Sequence, residues 1–361
     1  MRAAKLAILP ILCVWLASCA SPAYYAQAIG GQWELWRKSE PITQLIADPQ
    51  TKPQLKAKLE AVHVIRDFAS RELHLPDNGS YRNYADLQRP FVAWNVFAAD
   101  EFSVRPKEWC FMVVGCVGYR GYFSKEGAEA FAADVRTEGS DVYIGGVPAY
   151  STLGYFDDPV LSTFIRYPDS ELARLIFHEL AHQLVFVSGD STFNESFAVA
   201  VEIEGVKRWI EARGSDADRT TFAAQRLRRD RYLQLVETYR RKLDALYGSN
   251  ISAPDKRADK ARLFQEMRDD YQRLKAAWGG FSGYDWIFSQ PLNNAFIASN
   301  AIYTQLVPAF QALLAKNGGN LDAFYRSVRE LASRSKPERD EQLAALMVPT
   351  TVVSAGPAAA R

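Results

Sequence analysis

Glu171-Leu172-Ala173-Arg174-Leu175-Ile176-Phe177-His178-Glu179-Leu180-Ala181-His182-Gln183-Leu184-Val185 is the stretch from which the rest of the chain can be read. Leu172, Leu175, Ile176, Phe177, Leu180, Ala181, Leu184 and Val185 cover nearly every side of a helix, and a helix apolar almost all round is a buried one. Two histidines and a glutamate in its middle therefore need partners, because an unpaired buried polar group costs roughly 2–7 kcal/mol. His178 and His182 stand at i and i+4, so both imidazoles project from one face and can bind one metal ion. Glu179 sits about 100° round the helix, placed to work beside the metal rather than on it.

A hydrolytic zinc site takes three protein ligands and keeps one open position. The remaining histidines, His63 and His74, lie far upstream in unrelated surroundings, which points to a carboxylate as the third ligand. Asn194-Glu195-Ser196-Phe197-Ala198 follows after a short connection in which Gly189 lets a second helix fold back. Glu195 then faces the histidine pair. Two alternatives stand beside this reading: Thr192-x-x-Glu195 also fits a helix capping box, and Glu202, two turns further on, is a rival ligand.

Outward from this centre, 361 residues with 48% hydrophobic and 24% charged content describe an ordinary globular protein and exclude a disordered one. The net charge of +1, with no basic stripe, gives no support to nucleic-acid binding. Arg2 and Lys5 precede an apolar run, Leu6 to Leu16, of export-signal rather than membrane-spanning length. It ends in Leu16-Ala17-Ser18-Cys19, a run that resembles the lipobox of bacterial lipoproteins. On that resemblance residues 1–18 are a signal peptide, Cys19 is lipidated, and Ala20 directs the protein to the outer membrane, facing the periplasm. The alternative is an ordinary signal peptide cut at small residues. Export makes a disulfide between Cys110 and Cys116 the natural reading, a cysteine metal pair being the rival.

Helical spacing is read in Pro41 to Leu75 and in Lys125 to Thr137, then at 169–187, 195–213, 292–316 and 320–334. Strand-like runs are Phe91 to Ala98, Phe111 to Phe123 and Asp141 to Val147. Residues 76–84 are turn-rich, and a loop covers Tyr150 to Pro159. Residues 218–278 are strongly charged. Tyr232, Leu235, Tyr239, Leu243 and Leu246 form one apolar seam there, and Phe264, Met267, Tyr271, Leu274 and Trp278 form another, with a break at 248–255. A packed helical hairpin is expected, with a partner-binding arm as the alternative.

H-E-x-x-H followed by N-E-x-x-A resembles the gluzincin metallopeptidases. More closely, the chain resembles a family of bacterial lipoprotein aminopeptidases of the zincin type. The likeness runs through Tyr24-Tyr25 with Gln27 and Gly31-Gln32, Leu75 to Tyr81, Trp109-Cys110 to Cys116, Ser151 to Pro159, the two metal motifs and Asn293-Asn294-Ala295. It implies zinc held by His178, His182 and Glu195, with Glu179 as general base. The spacing from His182 to Glu195 is short for a gluzincin, and the chain carries no G-x-M-E-N run.

The expected fold is α+β and zincin-like: a small, mostly antiparallel sheet packed on the H-E-x-x-H helix, followed by a helical half with the cleft between. Its parts are the signal 1–18, an N-terminal lobe 19–190, a helical lobe 191–350 and a disordered tail 351–361. The expected activity is zinc-assisted hydrolysis of a peptide or protein substrate by an aminopeptidase. Tyr303 is the candidate oxyanion donor, Asp141 to Val147 the strand that pairs with substrate backbone, and Asp157 or Asp158 the contact for a free α-amine. The expected membrane contact is through the lipid anchor, and a protein partner would use the 218–278 hairpin. The rival reading is a zinc-binding but catalytically silent envelope lipoprotein acting as a partner-binding scaffold.

Overall fold

The stretch built round His178 folds as a helix in the computed structural model, which describes residues 22–111 and 114–347. The elements run α1 (Pro22–Arg37), β1 (Ser39–Pro41), α2 (Ile42–Ala47), α3 (Pro53–Arg71), β2 (Asn83–Ala85), β3 (Ala93–Ala99), β4 (Trp109–Phe111), β5 (Gly115–Val117) and β6 (Arg120–Tyr122). Then come α4 (Lys125–Thr137), β7 (Asp141–Val147), β8 (Val160–Leu161), α5 (Asp169–Leu184), α6 (Ser191–Arg213), α7 (Asp216–Gly248) and α8 (Ala253–Ala277). The chain ends with α9 (Asp285–Phe288), α10 (Asn294–Thr304), α11 (Val307–Lys316), α12 (Leu321–Ala332) and α13 (Lys336–Met347). Strands early and helices late make an α+β fold, as expected. The expected signal 1–18, the lipidation site Cys19 and the tail 351–361 lie outside the described residues.

The main sheet has the order β6-β3-β7, with antiparallel neighbours and β7 at one edge. Its side chains alternate as a pleated strand requires. Trp94, Val96 and Ala98 of β3 pack with Ala128, Ala132 and Val135 of α4. Phe97 and Ala99, on the other face, pack with Ala295, Ala298 and Ile302 of α10. Here the structure corrects the sequence reading: α10, not the H-E-x-x-H helix, covers the second face of this sheet. Helix α5 packs instead between α3 and α6. The reason lies in its own surface, since a helix apolar on every side needs other helices round it. A second, mixed sheet, β1-β2-β8, lends Ala85, Val160 and Leu161 to the same core as α5.

That core begins at Leu35 and reaches Leu343. It joins Leu59, Val62 and Ile65 of α3, Leu172, Ile176 and Leu180 of α5, and Phe193, Phe197 and Val201 of α6 to Phe310, Phe324 and Val328 of the last helices. The segment read as one helix over 292–316 is two. Helix α10 stops at Thr304, and α11 restarts at Val307 with a proline in its first turn, where a missing N–H costs nothing. Between them the Leu306 N–H donates to Ser196 Oγ at 3.2 Å.

Residues 216–277 form the expected hairpin, α7 and α8, with Tyr232, Leu235, Tyr239, Leu243, Phe264, Met267 and Tyr271 buried in one cluster. Tyr232 stacks on Tyr284 at 4.4 Å and Tyr271 on Phe288 at 4.0 Å, so α9 and its approach close the seam. Cys110 and Cys116 face each other across the β4–β5 ladder, 3.8 Å apart at Cα, and are joined as a disulfide.

Candidate metal centre

The centre depends on α6 turning back along α5. Gly189 supplies the turn with φ +77°, a left-handed conformation that suits glycine. Asp190 caps α6, its carboxylate accepting from the Phe193 N–H at 3.2 Å. Arg339 of α13 holds the other oxygen of that carboxylate at 2.7 Å. The capping-box alternative for Glu195 therefore falls away: Asp190 has that duty, and Glu195 is free for another. Asn194 shows why an asparagine precedes it. Its amide donates to the Val187 carbonyl and its side-chain oxygen accepts from the Val187 N–H, both at 2.8 Å, pinning the start of α6 to the end of α5.

Three donor atoms then converge. His178 Nε2 lies 3.3 Å from His182 Nε2 and 3.3 Å from Glu195 Oε2, and His182 Nε2 lies 3.7 Å from the same oxygen. Ligand atoms held tetrahedrally at about 2.0–2.1 Å from one ion are separated by about 3.3 Å, so the triangle has the dimensions of a metal site. Its chemistry agrees. The Nδ1 of His178 lies 3.0 Å from Glu202 Oε2, an acceptor-only carboxylate, so Nδ1 carries a proton there and Nε2 is the ring nitrogen turned to the centre, where its lone pair would serve a bound metal. Two ring nitrogens and a carboxylate oxygen this close need positive charge among them, supplied by a proton on His178 or by a bound metal ion. His178, His182 and Glu195 thus form a group able to hold a metal ion. All three are buried.

Glu202, the rival ligand, lies on the far side of the His178 ring instead. It is fully buried, and Arg174 and Arg229 donate to its two oxygens at 3.1 and 2.7 Å. It therefore orients a ligand rather than supplying one. The electrostatics follow this frame. Burial works against every charge here, yet His182 and His178 hold the Glu195 carboxyl down to about 2. Arg229 and Arg174 hold Glu202 lower still against the same burial. Burial pulls the His178 imidazole down, but its bonds to Glu195 and Glu202 outweigh that and raise it to about 10. The pocket favours positive charge at its centre.

Glu179 is buried one position along α5 from His178. Burial pushes its carboxyl up and the two histidines pull it back. Two tyrosines feel the charge of the centre. Tyr303, on α10, is raised by burial and by the charge of Glu195, then by Tyr119 and Glu179. Tyr119 is raised by burial and by Glu195 and Glu179 in turn. The sequence reading missed Tyr119. It follows the disulfide, and the turn before it packs so tightly that a Cβ on Gly118 would lie 3.0 Å from the Ile302 side chain of α10. Neither fact is visible without the fold. A cleft lined by Phe97, Tyr143, Gly145, Gly146, Phe296 and Tyr303 runs beside the edge strand β7.

The two aspartates of the 150–159 loop separate. Asp157 is exposed and opens onto an outer groove. Asp158 is buried, accepts the Thr152 N–H at 2.9 Å, and feels the charge of Glu179. Asn293 and Asn294 are structural: Asn293 caps α10, and Asn294 accepts from the Tyr247 hydroxyl at 2.6 Å while its amide donates to the Glu101 carbonyl at 2.8 Å.

Comparison with known families gives a match over residues 23–343 to the family described as "Putative aminopeptidase". No curated protein and no solved structure matches the chain. The family match takes in the sheet, both centre helices and the hairpin, and the chain belongs to this aminopeptidase family.

Proposed function

We propose that the protein is a zinc-dependent metallopeptidase of zincin type, an aminopeptidase anchored in the bacterial envelope through a lipid on Cys19 and facing the periplasm. The observation that carries this reading is the triangle of His178 Nε2, His182 Nε2 and Glu195 Oε2, with the Glu179 carboxyl beside it. When bound, zinc supplies a Lewis acid that polarises a carbonyl and makes water nucleophilic near neutral pH. Glu179 takes the proton from the attacking water and passes it to the leaving amine nitrogen as the C–N bond breaks. Tyr303 donates to the developing oxyanion, with Tyr119 beside it. The edge strand β7, beyond Val142 whose carbonyl the Asn293 amide holds at 2.9 Å, pairs with the extended substrate backbone, and Asp158 receives the free α-amine.

The test uses a dipeptide amide with a free amine and its N-acetylated counterpart. Release of product from the first alone, abolished in Glu179→Gln while metal stays bound, is the expected result. Equal cleavage of both removes the aminopeptidase assignment, and undiminished turnover in Glu179→Gln removes the general base.

A further inference from the structure

Helix α1 is built inside out. Its inward side is anchored: Tyr24 stacks on Phe111 at 5.2 Å, the Gln27 side-chain oxygen accepts from the Phe123 N–H at 3.0 Å, and Leu35 is fully buried. Gly31 lies so close to the Phe123 ring that a Cβ there would meet it at 2.1 Å. The one acidic group of the helix, Glu34, is turned aside to Arg89 at 2.6 Å. Pro22, Ala26, Ile29, Trp33 and Trp36 remain outward, at alternating spacings of four and three that keep them on one stripe. Ordinary surface helices put charge on that side. Of the eight exposed residues of α1, only Arg37 at its end is charged.

The stripe is extended by a second segment. Trp36 meets Phe156 edge to face at 4.6 Å, and Tyr155 next to it is 73% exposed. Ile29, Trp33, Trp36, Tyr155 and Phe156 are five of the ten large hydrophobic residues exposed among the described residues, gathered on one side of the molecule. A patch of that kind marks a contact surface rather than scattered surface apolarity.

We infer that the outward face of α1, with the Tyr155–Phe156 tip, is a membrane-contact surface that lies in the interfacial layer of a phospholipid bilayer. Three features select a bilayer as the occupant. The stripe begins at Pro22, three residues after Cys19, so a lipid on Cys19 would hold this face at the membrane. Its bulk is tryptophan and tyrosine, whose rings suit the boundary between acyl chains and headgroups. Exposed Arg37 closes the helix and offers a cation to lipid phosphates. A helix of 16 residues is about 24 Å long, enough to lie flat as a footprint beside a single anchor.

This inference rests on the lipid-anchor part of the reading above, but the face can be tested without the anchor. The chain from Ala20 onward keeps every described residue and is mixed with vesicles of phosphatidylethanolamine and phosphatidylglycerol. The expected result is flotation with the vesicles, weakened at least about tenfold in Trp33→Ser/Trp36→Ser and unchanged in Ile251→Ser, an exposed apolar site elsewhere. No flotation, or flotation indifferent to the tryptophan change, overturns the inference. So does a dimer in the absence of lipid that the double substitution dissociates, which would make a second copy the occupant. Failure of the anchor itself is read separately, from whether Cys19→Ala releases the full-length chain from the membrane fraction.

Discussion

The Nδ1–H of His178 donates to a carboxylate oxygen of Glu202 at 3.0 Å, while the opposite ring nitrogen points to Glu195 and His182. One hydrogen bond thus fixes which nitrogen is free to bind a metal and where its lone pair points. The holder is itself held, by Arg174 of α5 and Arg229 of the charged hairpin. The hairpin's most direct tie to the centre is therefore an electrostatic one, through Glu202.

Glu202→Gln tests this arrangement. Glutamine keeps an oxygen for the His178 Nδ1–H but removes the charge shared with two arginines. Metal affinity should fall by about 10–100-fold with the helices intact, as measured by competition with a chelator and by circular dichroism. Unchanged affinity would mean that the ring is oriented by packing alone.

Tyr303→Phe tests the oxyanion donor. A donor used only in the transition state lowers kcat by about 10²-fold or more and leaves KM and metal content near their original values. If Tyr119→Phe has that effect and Tyr303→Phe does not, the donor role belongs to the tyrosine that follows the disulfide.

Asp158 makes stability depend on pH. Burial pushes its carboxyl up to about 7 against the pull of the Thr152 N–H, whereas in the unfolded chain it titrates near the ordinary value of 3.8. The folded state therefore holds the proton more tightly. Its contribution is complete below about pH 4 and is lost as pH rises through 7, on the order of 4 kcal/mol in total. Asp158→Asn should flatten the denaturation midpoint across that window, and a slope equal to that of the original protein would contradict the assignment.

Much of the centre was legible because it is local. The i, i+4 spacing of His178 and His182, the apolar cover round them and the turn at Gly189 all act within about one helical hairpin of sequence. Glu195 followed from the need for a third ligand, and the structure adds what removed its rival role, the cap at Asp190. Glu202 was visible as a rival ligand two turns further along α6, but its duty was not, because Arg229 reaches it from a helix 27 residues on. Tyr119 was missed for the same reason: a tyrosine among short strands shows no periodicity, and only α10 brings Ile302 and Tyr303 against its turn. The sheet was placed on the wrong helix because alternation in β3 tells that both faces are covered, not by what.

The most direct test of the account is the metal content of the chain from Ala20 onward, purified without metal-affinity steps, beside Glu195→Ala. The account predicts about one zinc per chain in the original, none in Glu195→Ala, and a folded protein in both. A folded original chain that binds no zinc, or a Glu195→Ala variant that keeps it, would contradict the central claim.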